Sequence, residues 1–229
     1  MQQSSNILFI ITDQLRYDAL GCHGNALCST PHIDSLARDG VMFSNAFTTI
    51  SLCSPARATM MTGLYPHKHG QLANMGNFNG VFDTQVLECE NIPRVLKRHG
   101  YRTGYVGKWH LPAEFDNKAW PFDLWERAPM GDDAFDIGRD VVQRIEWGGT
   151  APFEGLSNLS EEEHQEYRVA DRTIEMLDSF RDSGSPFALI ASFFGPHFPY
   201  SVPAPYYGMF DGIEIPQPDN FNETFENKP

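Results

Sequence analysis

The sequence predicts an α/β fold with a mostly parallel central sheet flanked by helices, and three observations carry that prediction. "NILFIIT", "YRTGYVG" and "PFALIASF" are short apolar runs rich in branched and aromatic residues, the composition of strands covered on both faces. Segments with helix caps and stops lie between them. Each run is followed at its carboxyl end by residues capable of chemistry: Asp13, then Lys108 with His110, then His197. In open α/β sheets the ligand crevice lies outside those ends.

The first strand is expected from Asn6 to Thr12. "STPHIDSLARDG" reads as a helix, with Thr30 as cap, Pro31 in the first turn, Ile33, Leu36 and Ala37 on one face, and Gly40 as its stop. Val41 to Thr49 alternates in polarity and is expected to be a strand. "SPARATMMTG" predicts a helix capped by Ser54 and ended by Gly63, which sets Cys53 just before a helix N-terminus, where amide groups and the macrodipole favour an anion. Asn91 to Gly100 predicts a short helix and Tyr101 to Gly107 a strand. Residues 112–159, rich in Gly, Pro, Trp and Asp, are expected to be a loop-rich insertion near a substrate entrance. Ser160 and Glu163 form a capping-box pair ahead of a long helix whose buried face is expected to hold Tyr167, Ala170, Ile174 and Leu177. Pro186 to Phe193 is the third buried strand, and repeated prolines after Ser201 predict extended surface chain.

Composition limits the partners. With 229 residues, 41% hydrophobic, the chain can bury a sizeable core. Seventeen Lys and Arg against thirty Asp and Glu give a net charge of −13, the wrong sign for gripping a nucleic acid backbone. No apolar run is long enough to span a bilayer, so no membrane partner is expected. No basic-then-apolar leader precedes the first strand, so a cytoplasmic location is expected, or a periplasmic or secreted one if a leader has been removed. Cys22, Cys28, Cys53 and Cys89 match no disulfide scaffold and no paired zinc motif.

The motif around Cys53 is specific. Cys53, Pro55 and Arg57 in "CSPARATMMTG", followed in order by "GLYPHKHG", "GKWH" and "GPHFPY" and preceded by "NILFIITDQLRYDALGCHGN", resemble the type I sulfatases along essentially the whole chain. A phosphate loop of the cysteine phosphatases is excluded, because it needs five residues between Cys and Arg and this motif has three. The resemblance implies an alkaline phosphatase-like fold, with residues 1–229 as the N-terminal portion of a single catalytic domain. It also implies that a maturation enzyme oxidises Cys53 to formylglycine. One hydroxyl of the aldehyde hydrate attacks sulfur and expels the alcohol, and deprotonating the second expels sulfate.

By the same resemblance Asp13, Gln14 and the matured Cys53 would hold one divalent cation, calcium. Arg57 would fix the hydrate and offset the acidic ligands, Lys108 would bind a sulfate oxygen, and His110 would act as base for the elimination. His197 would bind sulfate and help protonate the leaving alcohol. The substrate implied is a small-molecule or carbohydrate sulfate ester. Many members carry Asp-Asp where this chain has Asp13-Gln14, an exchange shared with relatives that hydrolyse phosphonate or phosphate esters, which forms the alternative reading. A third possibility is an unmatured binding module. Further metal ligands and a second active-site Lys would follow Pro229, so these 229 residues alone would be inactive. Packing or exposed positions are expected for the other cysteines, and a helix-ending role for His67 and His69.

Overall fold

A computed structural model describes residues 4–80, 86–112, 121–127, 141–147, 151–218, 220–224 and 226. Among these, seven strands and five α-helices are formed: β1 (Ile7–Ile11), α1 (Pro31–Asp39), α2 (Cys53–Thr62), α3 (Pro66–His69), α4 (Ile92–Arg98), β2 (Arg102–Gly107), β3 (Leu124–Arg127), β4 (Val141–Trp147), β5 (Ala151–Ser157), α5 (Gln165–Arg181), β6 (Phe187–Ser192) and β7 (Tyr200–Val202). The main sheet has the order β1-β6-β2-β3 with every neighbouring pair parallel. A second sheet of order β4-β5-β7 stands apart from it. No helix among the described residues is long and apolar enough to cross a membrane.

Register explains where the chemistry goes. Ile11 pairs with Ser192, and Gly107 pairs with the same Ser192, so β1, β6 and β2 finish level. Whatever follows each strand emerges at one edge of the sheet. Alternation along the strands divides the core in two. Tyr105 and Ile190 join Ile11, Ala58 and Met61 on the α2 side, whereas Val106 and Leu189 meet Val169 and Phe180 on the α5 side.

Gly107 ends β2 at φ +101°, and a Cβ there would stand 2.0 Å from the Ser192 carbonyl oxygen. Only glycine fits both the left-handed backbone and that approach. The turn it makes directs Lys108 out of the sheet, and the Lys108 N–H donates back to the Ser192 carbonyl at 2.9 Å.

Several expectations are corrected. Residues 41–49 form no strand; Val41, Phe43 and Phe47 are exposed, and the alternating pattern finds no partner strand. Thr30 does not cap α1: its hydroxyl donates to Asp34 and accepts from the Gly21 N–H. Ser54 lies inside α2, which begins at Cys53 with Leu52 at the cap position. The loop-rich insertion expected at 112–159 holds the short strands β3, β4 and β5, while 113–120, 128–140 and 148–150 lie outside the described residues, including the acidic Asp132, Asp133 and Asp136. Ser160 and Glu163 exchange both capping-box bonds, at 3.0 and 3.3 Å, yet the helix proper begins at Gln165. Its buried face is Val169, Thr173 and Phe180, with Met176 and Leu177 half-buried, while Tyr167 and Ile174 are exposed.

Candidate active site

Cys53 is the first residue of α2, and distant side chains fix that helix end. The Ser54 N–H donates to Asn74 Oδ1 at 3.1 Å, and Ser54 Oγ accepts the Met75 N–H at 3.0 Å. The expected cap is thus reversed: Asn74 caps the helix and Ser54 holds the loop that delivers Asn74. Behind them His69 packs on α2, its Nε2 3.1 Å from Thr59 Oγ1 and its Nδ1 accepting the Gln71 N–H. A ring nitrogen that accepts from an amide carries no hydrogen, so Nε2 is the donor to Thr59.

The thiol of Cys53 donates to Asp13 Oδ1 at 3.4 Å. Asp13 Oδ2 receives Lys108 Nζ at 2.7 Å and Arg57 Nη2 at 3.0 Å, and all three side chains are buried. The other guanidinium nitrogen of Arg57 donates to the Lys108 carbonyl at 2.6 Å and to Ser192 Oγ at 2.8 Å. That carbonyl also accepts from the Tyr105 hydroxyl and from Ser192 Oγ. Lys108 Nζ stands 4.5 Å over the Phe194 ring. The predicted residues Asp13, Cys53, Arg57 and Lys108 therefore form one contiguous cluster across the level strand ends.

His110 and His197 complete the perimeter. His110 takes φ +54°, so the chain from Lys108 to His110 is not uniformly extended. Its Nδ1 is buried without a hydrogen-bond partner among the described residues. The His197 ring lies against Phe194 and Phe198, with Nδ1 bonded to the Phe198 carbonyl. Asp13, Cys53 and His197 each offer a ligand atom within 4.8 Å of the others, close enough together for all three to reach one metal ion. Gln14, at φ +58°, is exposed and makes no hydrogen bond to this cluster among the described residues.

The electrostatics favour an anion. One carboxylate faces a guanidinium and an ammonium group, so these three residues leave one positive charge uncompensated inside a chain of net charge −13. Burial works to raise the Asp13 pKa, but Lys108 and then Arg57 outweigh it and hold the carboxyl below its usual value. Burial pushes the Cys53 thiol upward, aided by Asp13 and opposed by Lys108 and Arg57, so the side chain is a thiol at neutral pH. Burial, Lys108 and Arg57 lower His110 to about 4, and burial likewise lowers His197, so both imidazoles are neutral at pH 7.

Sequence reading did not identify Tyr105, Ser192, Asn74 or Phe194. A polar residue ending the otherwise apolar run "FALIAS" was the available signal for Ser192; the others show their role only through contacts far along the chain.

The family model for sulfatases matches residues 5–227. The chain belongs to the sulfatase family. Among sulfatase relatives, it is 28% identical over 224 residues to an N-acetylglucosamine-6-O-sulfatase of Bacteroides thetaiotaomicron, an alignment covering 97% of this chain and 36% of that protein. It is 27% identical to human iduronate 2-sulfatase over 90% of this chain and 37% of the relative. Solved structures also match in space: one determined in complex with its substrate D-glucosamine-2-N,6-O-disulfate superposes with a TM-score of 0.72 at 26% identity, over 98% of this chain and 41% of that one. The phosphonate monoester hydrolase of Agrobacterium radiobacter superposes with a TM-score of 0.71 at 28% identity, over 93% and 45%. The chain thus spans less than half the length of these proteins. The parallel sheet and its flanking helices are the sulfatase, alkaline phosphatase-like architecture expected from the sequence.

Proposed function

We propose that the protein hydrolyses a sulfate monoester to alcohol and sulfate, using formylglycine made from Cys53 by a maturation enzyme and one divalent cation, calcium, at Asp13. The observation that carries this reading is the pairing of the Cys53 thiol with Asp13 Oδ1 while Lys108 and Arg57 occupy Oδ2. A cysteine kept protonated by burial and by a neighbouring carboxylate is poorly suited to act as a thiolate nucleophile. The same position is well suited to an oxygen nucleophile beside a cation-binding carboxylate.

The donor set fits the cation in part. Asp13 is a buried, ionised carboxylate whose Oδ1 faces Cys53, and conversion of that side chain would replace a soft sulfur by oxygen, the donor that calcium prefers. His197 would add a contact to the bound ester, and Gln14, next to Asp13 and exposed, would offer its amide oxygen. Bound there, the cation would polarise the sulfate oxygens. Position 53, once converted to formylglycine, would supply two hydroxyls on one carbon, one for attack on sulfur and one whose deprotonation would expel sulfate.

The chain's own residues have separable tasks. Lys108 offers its ammonium to the anionic ester and steadies the charge as it grows. Arg57 holds Asp13 and the Lys108 turn in place. His110, neutral at pH 7, can take the proton of the second hydroxyl. The anionic ester would counter the burial that lowers the His197 pKa, which favours a proton on that ring for the leaving alcohol. The 6-O-sulfatase relative and the disulfated glucosamine in the matching structure favour a carbohydrate sulfate as substrate.

A phosphonate or phosphate ester is the second reading, favoured by Gln14 and by the match to the Agrobacterium enzyme. Full-length protein co-produced with a formylglycine-generating enzyme should convert Cys53, seen as a mass change in its tryptic peptide. It should then turn over 4-nitrophenyl sulfate faster than 4-nitrophenyl phenylphosphonate. The reverse preference selects the second reading, and turnover of neither by converted protein overturns both.

A further inference from the structure

α5 opens directly behind the segment that carries His197. Glu166 Oε1 accepts the Gly195 N–H at 2.8 Å, and the Gly195 carbonyl accepts the Asp13 N–H at 3.1 Å. Gly195 is therefore held from both sides, by the helix and by the residue that carries the site's carboxylate. A Cβ on Gly195 would come within 3.3 Å of the Glu166 carboxyl group, so the acid is packed against the glycine as well as bonded to it. An acidic residue in the first turn of a helix ordinarily points to water and gains only from the macrodipole. Glu166 is turned the other way.

The far end of the segment is anchored from the same helix entrance. His164 Nε2 lies 3.1 Å from the Ser201 carbonyl, which can only accept, so that nitrogen carries the hydrogen. The Tyr206 hydroxyl donates to Glu161. Between the two anchors sits His197, its ring centroid 4.7 Å from both Phe194 and Phe198. Behind it a cleft of about 340 Å³ is lined by Thr12, Glu166, Phe193, His197 and Tyr200 among others. Packing does not fill that space, so polar anchors decide where the segment rests.

We propose that Glu166 is a positioning residue for His197, acting through the Gly195 N–H. The proposal rests on the reading that His197 serves the leaving alcohol. A group displaced by about 1 Å from its partner can lose on the order of 100-fold in rate, and outer-shell supports commonly account for about 10- to 100-fold. A displaced acid hurts esters of basic alcohols most, because an acidic phenol leaves without a proton.

The test compares Glu166→Ala and Glu166→Gln with the parent in the matured full-length protein, using phenyl sulfate and 4-nitrophenyl sulfate. Glu166→Ala should lose about tenfold or more in kcat/KM on phenyl sulfate and less than about threefold on 4-nitrophenyl sulfate. Glu166→Gln keeps an oxygen for Gly195 and should stay within about threefold of the parent on both. Equal losses on the two esters, or no loss on either, would overturn the proposal. Hydrogen–deuterium exchange of the peptide spanning Phe194 to Ser201 supplies a readout free of turnover. Exchange there should rise in Glu166→Ala while the α2 peptide is unchanged, and unaltered exchange also counts against the anchor. If the parent hydrolyses neither ester, the functional reading fails and the exchange measurement alone decides whether Glu166 holds the segment.

Discussion

The guanidinium of Arg57 and the main-chain carbonyl of Lys108 are joined by a buried hydrogen bond of 2.6 Å. The same guanidinium reaches Asp13 through its other nitrogen at 3.0 Å. One side chain thus ties the carboxylate after β1 to the turn after β2.

Arg57→Ala should destabilise the protein by about 3–5 kcal/mol, because it strips a partner from a buried carboxylate and a donor from a buried carbonyl. Arg57→Lys should recover less than half of that, since one ammonium cannot span both acceptors. Urea unfolding followed by fluorescence measures both; an alanine variant as stable as the parent would show that Lys108 alone satisfies Asp13.

Gly107→Ala should cost about 3 kcal/mol and reduce turnover further, because the added methyl would sit 2.0 Å from the Ser192 oxygen on a backbone of φ +101°. Relief of that contact has to shift Lys108. An unfolding midpoint equal to the parent's would mean that the strand ends can separate freely.

His110 makes stability depend on pH. Its pKa is about 4 in the folded chain against 6.5 as the reference, so between those values the unfolded state binds more protons than the native one. Stability contributed by the neutral ring is full above about 6.5 and falls as pH drops toward 4. Metal-free parent should therefore lose more stability between pH 7 and 4.5 than His110→Gln; parallel losses in urea titrations at the two pH values would refute it.

Cys53→Ser in the full-length protein, with serine left unconverted at position 53, should abolish multiple turnover of 4-nitrophenyl sulfate, since a serine ester has no second hydroxyl on the same carbon to expel sulfate. Product release beyond one equivalent per protein, at a rate near the parent's, would rule out the hydrate chemistry.

The strands that build the site were legible because they are covered on both faces and read as unbroken apolar runs: β1, β2 and β6 lie where the sequence predicts them, within a residue at each end. β4 and β5 pair mainly with each other, antiparallel and with register shifts, so neither shows an unbroken apolar run. α5 is present as expected, but its buried stripe differs from the expected one, because Tyr167 and Ile174 are more apolar than the Thr173 that is buried. Thr173 tolerates burial by returning its hydroxyl to the Val169 carbonyl at 2.6 Å, a local bond that periodicity does not register.

The site divided in the same way. Asp13, Cys53, Arg57 and Lys108 stand in ordered motifs and meet as expected. Ser192, Tyr105 and Glu166 act through main-chain atoms of other segments, and such contacts leave no pattern in neighbouring residues. Gln14, at φ +58°, is exposed beside the cluster, a backbone conformation that its motif does not announce.

The sheet order also fixes a timetable. β1 and β2 do not pair; β6 lies between them, and Arg57 meets Ser192 across 135 residues of chain. On a ribosome adding about 5–20 residues per second, roughly 7 to 27 s separate the appearance of those two residues. Throughout that interval Asp13 and Lys108 lack the strand that brings them together, and the Cys53 segment cannot yet be enclosed by its native neighbours. Cys53, half-buried in the finished fold, is thus made well before the strand that completes its surroundings, an order of events set by strand topology.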